Sequence, residues 1–389
     1  MYFLADFLFD GNQIISNAFV EVDTDGRILA VGKTDELKDN TISYQKLDGL
    51  LMPGFVNTHC HLELSHMENK VSTGTGLLPF IKGVMSLRES EDKEILKAIH
   101  DQDQYMWENG IQAVGDISNK TDTIEKKKSS SIIYHSFIEM FDLLSPKLTD
   151  RAYKQYRQVY DKYQAEELRS SAVPHAPYTV TQDLFQQINK TNTTKTTISI
   201  HNQETEAEDQ LFILGKGAFL TFYEDLNLPL DNFQATYESS IHYTMKHMDP
   251  KHRYIFVHNT QTTEHDIAAA QNWNEDIYWC TCPNANLYIE NRLPNYQSFI
   301  NQNAKMTIGT DSLTSNWQLS ILEEMKTIHR FNSYLEITEV LKWATINGAE
   351  ALGLQNSLGS ISVGKNPGLV LVENFEIGSI QNCTAIRLA

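Results

Sequence analysis

Apolar runs of strand length recur through the middle of the chain, and polar stretches with helical spacing separate them. The runs are "GLLMPGFVNTH", "IQAVGDIS", "SIIYHSFIEM", "RSSAVPHAPY", "TTISIHNQE", "YIFVHNT", "DIYWCTCPN" and "KMTIGTDS". Near-continuous apolar runs are what strands buried on both faces require. Stretches such as "ILKAIHDQDQYMWENG" and "EVLKWATINGAEALG" read as the helices between or after them. Eight strand-then-helix units predict an α/β fold, a (β/α)8 TIM barrel over residues 53–354. No short-period repeat is visible, which disfavours solenoids and propellers.

The two ends have a different pattern. "AFVEVDTDGRILAVG" alternates apolar and polar residues on both sides of "DTDGR", a hairpin signal. "LGSISVGKNPGLVLVENFE" near the C-terminus sets Gly and Pro turns around "LVLV". Residues 1–52 and 355–389 are therefore expected to assemble together as a small β-sandwich domain.

The residues that end the apolar runs are where candidate chemistry lies. His59 and His61 close the first run, Asp116 the second, His175 the fourth, His201 the fifth, His258 the sixth and Asp311 the eighth. In a barrel the strand C-termini surround one mouth, so residues far apart in sequence would converge there. Residues i and i+2 of a strand point to one side, so His59 and His61 can grip one ion together. By itself H-x-H is weak evidence for a metal. Further ligand candidates at other strand ends change its weight. An aspartate directly after "MTIGT" is a good ligand, because a buried carboxylate needs a partner. Glu204 follows His201 by three residues, and a helical turn there would put both on one face. Glu206, Glu208 and Asp209 suit the ordinary role of acidic residues at a helix start. The remaining histidines lack this context and read as surface or core residues.

Composition narrows the function classes. The net charge of the 389-residue chain is −18, and nothing in it offers a phosphate polymer a basic footprint, so nucleic acid is not expected as a partner. The one sharp basic run, Lys126 to Lys128, is expected to be a solvated loop. Four cysteines do not make a disulfide framework, and "CTCP" reads as strand-end packing. The N-terminal residues lack a basic signal-peptide region, and no apolar run is long enough to span a bilayer. These features lead to an expectation of a cytoplasmic protein without a membrane partner.

Six segments, "MPGFVNTHCHLELS", "VPHAPYTVT", "HNQET", "VHNT", "CPNANLYIENRLP" and "IGTDSLTSN", together resemble the amidohydrolase superfamily, in its mononuclear deaminase and chlorohydrolase branch. The resemblance covers nearly the whole chain in the right order. One departure is Pro367-Gly368, where this family often has Ala-Asp; it touches the terminal domain and leaves the chemistry alone. The resemblance implies that His59, His61, His201 and Asp311 hold one divalent metal ion, with zinc favoured over iron or manganese. It implies catalytic roles for Glu204, His258 and Asp311. His175 stands where the binuclear branch carries a bridging modified lysine, so one metal is expected. "PHAPY" and "HLELS" are similar to deaminases of adenosine-type nucleosides and thioethers, and of aminodeoxyfutalosine in menaquinone synthesis. His175, Tyr178, Phe80, Ser312 and Trp317, with Ser315 and Asn316, are the expected substrate contacts. The long segment from His66 to Ser86 reads either as a lid or as a packed helix start. The expected activity is hydrolytic deamination of an amino-substituted purine nucleoside or related N-heterocycle. A chlorohydrolase, a cyclic amidase and a non-catalytic barrel are the alternatives. A homodimer is implied only by the habit of the family.

Overall fold

The computed structural model describes residues 1–37, 43–230 and 233–388. Each of the eight apolar runs contains a strand. Phe55–Cys60, Ile111–Ser118, Ile133–Met140 and Ser170–Pro174 form one all-parallel sheet in that order. Thr197–Asn202, Arg253–His258, Ile277–Thr281 and Met306–Ile308 form a second, also parallel. The two sheets meet at both edges. Cys60 bridges Asp311 in parallel, and the amides of Thr310 and Asp311 both donate to the His59 carbonyl at 3.0 Å. On the other side the His201 amide donates to the His175 carbonyl at 2.9 Å.

Helices follow the strands, among them Asp92–Glu108, Thr149–Ala165, Gln182–Thr191, Glu264–Trp273 and Ile321–Phe331. The stretch "EVLKWATINGAEALG" is two short helices, Ile337–Trp343 and Ile346–Ala351, rather than one. No helix among the described residues is long and apolar enough to cross a membrane.

The ends of the chain build one six-stranded sheet. Its order runs Thr384–Arg387, Leu369–Glu373, Tyr44–Pro53, Tyr2–Phe9, Ile14–Val22 and Ile28–Lys33. Tyr2–Phe9 and Tyr44–Pro53 pair in parallel, and the other neighbours are antiparallel. The expected hairpin is present, and Asp23 Oδ1 closes its turn by accepting from the amides of Asp25 and Arg27 at 2.9 Å. Alternation along these strands splits their side chains between two cores. Leu50, Met52, Val370 and Val372 join the main core with the parallel strands, while Leu47, Leu51, Leu369 and Leu371 pack with Phe3, Leu8 and Val20.

Candidate metal centre and active site

The strand Phe55–Cys60 is entirely buried and delivers His59, with His61 directly after it. Close packing fixes its position. Gly309 faces it, and a Cβ there would lie 2.8 Å from the His59 Cβ and 2.9 Å from its carbonyl oxygen, so only glycine fits. Asp311 follows in a left-handed conformation, φ +57°, with Ser315 Oγ donating to its Oδ2 at 2.6 Å. His201 lies within the strand Thr197–Asn202, and His258 ends Arg253–His258 at φ +75°. Positive φ at a non-glycine residue is costly and is tolerated where the surroundings enforce it.

These side chains converge. One ligand atom each from His59, His61, His201 and Asp311 lies within 4.8 Å of the others. The Nε2 atoms of His59 and His61 are 3.2 Å apart, and they stand 3.4 and 3.2 Å from Asp311 Oδ1. Burial lowers the proton affinity of all three imidazoles, His61 to about 3 and His201 to about 4. Burial also pushes Asp311 up, but the neighbouring imidazoles outweigh it and hold the carboxyl well below its usual range. His201 Nδ1 lies 2.8 Å from the His175 carbonyl, which fixes the N–H on that nitrogen and frees Nε2. The freed His201 Nε2 presents a lone pair to the cluster, and imidazole lone pairs turned toward one another and toward a carboxylate repel unless a proton or a cation lies between them. The donor set suits one divalent ion with nitrogen and oxygen ligands.

Glu204 and His258 adjoin this cluster, with His258 Nε2 3.7 Å from Glu204 Oε1. The expected helical face does not exist here. His201 is in a strand, the helix begins only at Glu206, and Glu204 sits in the connecting loop beyond Gln203 at φ +45°. Glu208 holds that loop. Its Oε1 accepts from the Gln203 amide at 3.2 Å and from Ser240 Oγ at 2.5 Å, and its Oε2 accepts from the Glu204 amide at 3.1 Å. Glu208 is fully buried, so it does more than complement a helix start. Burial raises the Glu204 carboxyl well above its ordinary range, and the charges of Asp311, Glu208 and Glu290 add to this. Asn286 Nδ2 lies 3.0 Å from His258 Nδ1, which places the ring proton on Nε2, toward Glu204.

A cavity of about 200 Å³ opens over the cluster, and His61, His175, His201, Glu204, His258 and Asp311 all line it. Tyr178, Phe80 and Ser312 line it too. Trp317 does not; it is 53% exposed and leans on Tyr288. Ser315 and Asn316 are buried behind the mouth, where Ser315 steadies Asp311 and Asn316 bonds the Thr310 carbonyl and Glu324. The segment after His66 contributes Leu77, Phe80, Ile81 and Val84, from the helix Leu77–Leu87, as one apolar wall.

Sequence reasoning passed over Glu139, Asn119 and Arg88, which also line the cavity. For Glu139 a signal existed: it is the one charged residue of "SFIEM", next to a strand end. Asp116 is buried but outside the cavity lining. Cys280 and Cys282 are buried and free, their sulfurs 3.9 Å apart, which agrees with a packing role.

Comparison with known proteins adds an independent line. The Amidohydrolase family model matches residues 50–385. The chain is 25% identical over 360 residues to an adenosine deaminase of Helicobacter pylori, covering 89% of this chain and 85% of that one. It is 25% identical over 339 residues to an aminodeoxyfutalosine deaminase of Nitratiruptor, covering 84% and 79%. In fold it is similar to the crystal structure of Helicobacter pylori aminofutalosine deaminase in complex with methylthio-coformycin. That match has a TM-score of 0.83 at 20% identity and covers 100% of both chains.

Proposed function

This chain belongs to the amidohydrolase family, and we propose that it is a hydrolytic deaminase of an amino-substituted purine nucleoside, releasing ammonia. One observation carries the proposal: the His59, His61, His201 and Asp311 cluster opens onto the same cavity as Glu204 and His258. Those four side chains would hold one divalent ion, zinc by preference. A divalent ion there supplies a water whose pKa falls from 15.7 to about 7–9, so that a nucleophile exists near neutral pH.

The remaining work falls to the side chains. Glu204 takes a proton from the attacking water and passes it to the neighbouring ring nitrogen of the substrate, which makes the ring carbon accept the oxygen. The second water proton then passes through Glu204 to the exocyclic amine, whose C–N bond breaks as the ring carbonyl forms and ammonia leaves. The raised proton affinity of Glu204 suits a group that must hold a proton in mid-reaction. His258 donates from Nε2 to the oxygen as it adds to the ring carbon. Asp311 orients the water, and Ser315 keeps its carboxylate from rotating. The apolar wall from Leu77 to Val84 excludes bulk water from the ring. His175, Tyr178, Phe80 and Ser312 contact the substrate. Aminodeoxyfutalosine ranks first among substrates, followed by methylthioadenosine and S-adenosylhomocysteine; the similar proteins named above favour this class.

The wider reading is a closed (β/α)8 barrel over residues 53–354 and a composite β-sandwich domain from 1–52 and 355–389. The hydrogen bonds at the sheet edges support the barrel, and the six-stranded sheet supports joint assembly of the two termini, though among the described residues as one sheet and not as two facing ones. Four free, buried cysteines suit the cytoplasm. A homodimer rests on family habit alone. The experiment is an ammonia-release assay of the metal-loaded protein on adenosine, methylthioadenosine, S-adenosylhomocysteine and aminodeoxyfutalosine. Turnover of at least one supports the proposal, and silence on all four sinks it.

A further inference from the structure

The barrel has a second concavity, at the end away from the candidate metal centre. A cavity of about 330 Å³ is lined by His135, Arg169, Lys195, Thr197, Arg253 and Gly353, among others. Thr197 and Arg253 begin their strands, and Arg169 immediately precedes Ser170–Pro174. His258 ends the strand that Arg253 begins, so about 16 Å of strand separates the two sites.

The charge of this lining is unlike that of the chain. The chain carries 50 Asp and Glu against 32 Lys and Arg, yet the cavity wall has Arg169, Lys195 and Arg253 and no acidic side chain. One carboxylate outside the lining, Asp276, serves two of them. Its Oδ1 accepts from Arg253 Nε at 3.0 Å, and its Oδ2 meets Lys195 Nζ at 2.8 Å. Arg169 has no carboxylate partner among the described residues; its Nη2 donates to the Leu352 carbonyl at 2.8 Å. The two guanidinium groups nonetheless approach one spot. A Cβ on Gly353 would lie 3.1 Å from Arg253 Nη1 and 3.9 Å from Arg169 Nη2. The Arg253 side chain is only 18% exposed, so it is held in place. Burial lowers the Arg169 pKa, and no acid raises it. Burial and the charges of Arg169, Lys127 and Arg253 together hold His135 at about 3. Like charges gathered in a concave, partly desolvated place attract an anion.

We propose that this cavity binds one phosphate-class oxyanion, held by Arg169 and Arg253 with Lys195 at the rim. Three cations against one carboxylate leave a double positive charge, which a dianion balances and a single carboxylate does not. A tetrahedral oxyanion also offers oxygens in several directions, as donors from three separate segments require. The bottom of such a barrel serves stability rather than chemistry, so the bound anion should stabilise the fold and leave turnover alone. The inference stands apart from the deaminase reading.

The test is calorimetric titration of the metal-loaded protein with inorganic phosphate at neutral pH and fixed ionic strength, on wild type, Arg169→Ala and Lys195→Glu. The proposal expects one phosphate per wild-type chain with a Kd below about 1 mM, weakened at least about 10-fold in each variant. Phosphate should also raise the Tm of wild type more than that of either variant. Lys195 is 61% exposed, so its variant decides the matter if Arg169→Ala fails to fold. Ribose 5-phosphate is titrated alongside. Tighter binding than phosphate names an ester as the occupant, weaker binding names the free ion, and either keeps the proposal. No saturable phosphate binding below about 1 mM overturns it. Equal affinity in wild type and variants places the anion elsewhere, the metal centre included, and overturns it too.

Discussion

The Lys127 ammonium lies 2.6 Å from Asp116 Oδ2, and neither side chain has any solvent exposure. Lys127 also donates to Ser118 Oγ at 2.9 Å and Ser136 Oγ at 3.0 Å, and it faces the rings of Tyr134 and Tyr163 at 5.4 and 5.2 Å. Asp116 Oδ1 accepts from the Leu62 amide at 2.8 Å, one residue beyond His61. The pair thus braces the backbone that delivers the second histidine of the metal cluster. Burial opposes the Lys127 charge, but Asp116 and Tyr163 overcome it and raise its pKa, so the ammonium persists at neutral pH.

Removing one partner of such a pair leaves a buried, uncompensated charge. Lys127→Met is expected to cost about 3–5 kcal/mol of stability. Urea denaturation measures this, and a change under about 1 kcal/mol would show that the pair is not a brace.

Glu204→Gln keeps the shape of the side chain and removes its proton traffic. Metal content should stay at the wild-type level while kcat falls by about 10²–10⁴-fold. A variant with near-wild-type kcat would remove Glu204 from the proton path.

Glu208 predicts a pH dependence of stability. Burial raises its pKa from 4.5 to about 7. Between those values the folded state binds more protons than the unfolded state, so this group's contribution falls as pH rises through the window and is level above it. The full span is about 3 kcal/mol. In Glu208→Gln the term is absent, so the stability of wild type relative to the variant should decline from pH 4.5 to about 7. A pH-independent difference between the two proteins would contradict the assignment.

What the chain discloses in advance depends on how local the signal is. His59, His61, His201, His258 and Asp311 were legible because each follows an apolar run, and strand topology alone brings such positions together. The eight strands were legible for the same reason. Lys127 was misread as solvated, since a basic run looks alike whether or not one member turns inward; only the helix Ile124–Ser129, packed over Asp116, makes the distinction. Glu204 was found for a wrong local reason: its place comes from the loop that Glu208 holds, not from a helical face. Trp317 lies near Asp311 in sequence but points outward, because the turn after Asp311 spends Ser315 and Asn316 on supporting the site. Glu139, Asn119 and Arg88 meet at the cavity through three separate segments, a coincidence no single stretch of sequence encodes.

Metal content with X-ray absorption tests the central claim most directly. The protein, purified without added metal and then loaded with zinc, should hold one ion per chain. The absorption spectrum should fit nitrogen and oxygen ligands at about 2.0–2.2 Å, with no sulfur. His59→Ala, His61→Ala, His201→Ala and Asp311→Ala should each lose most of that ion. Two ions per chain, sulfur in the coordination shell, or full retention in these variants would contradict the account.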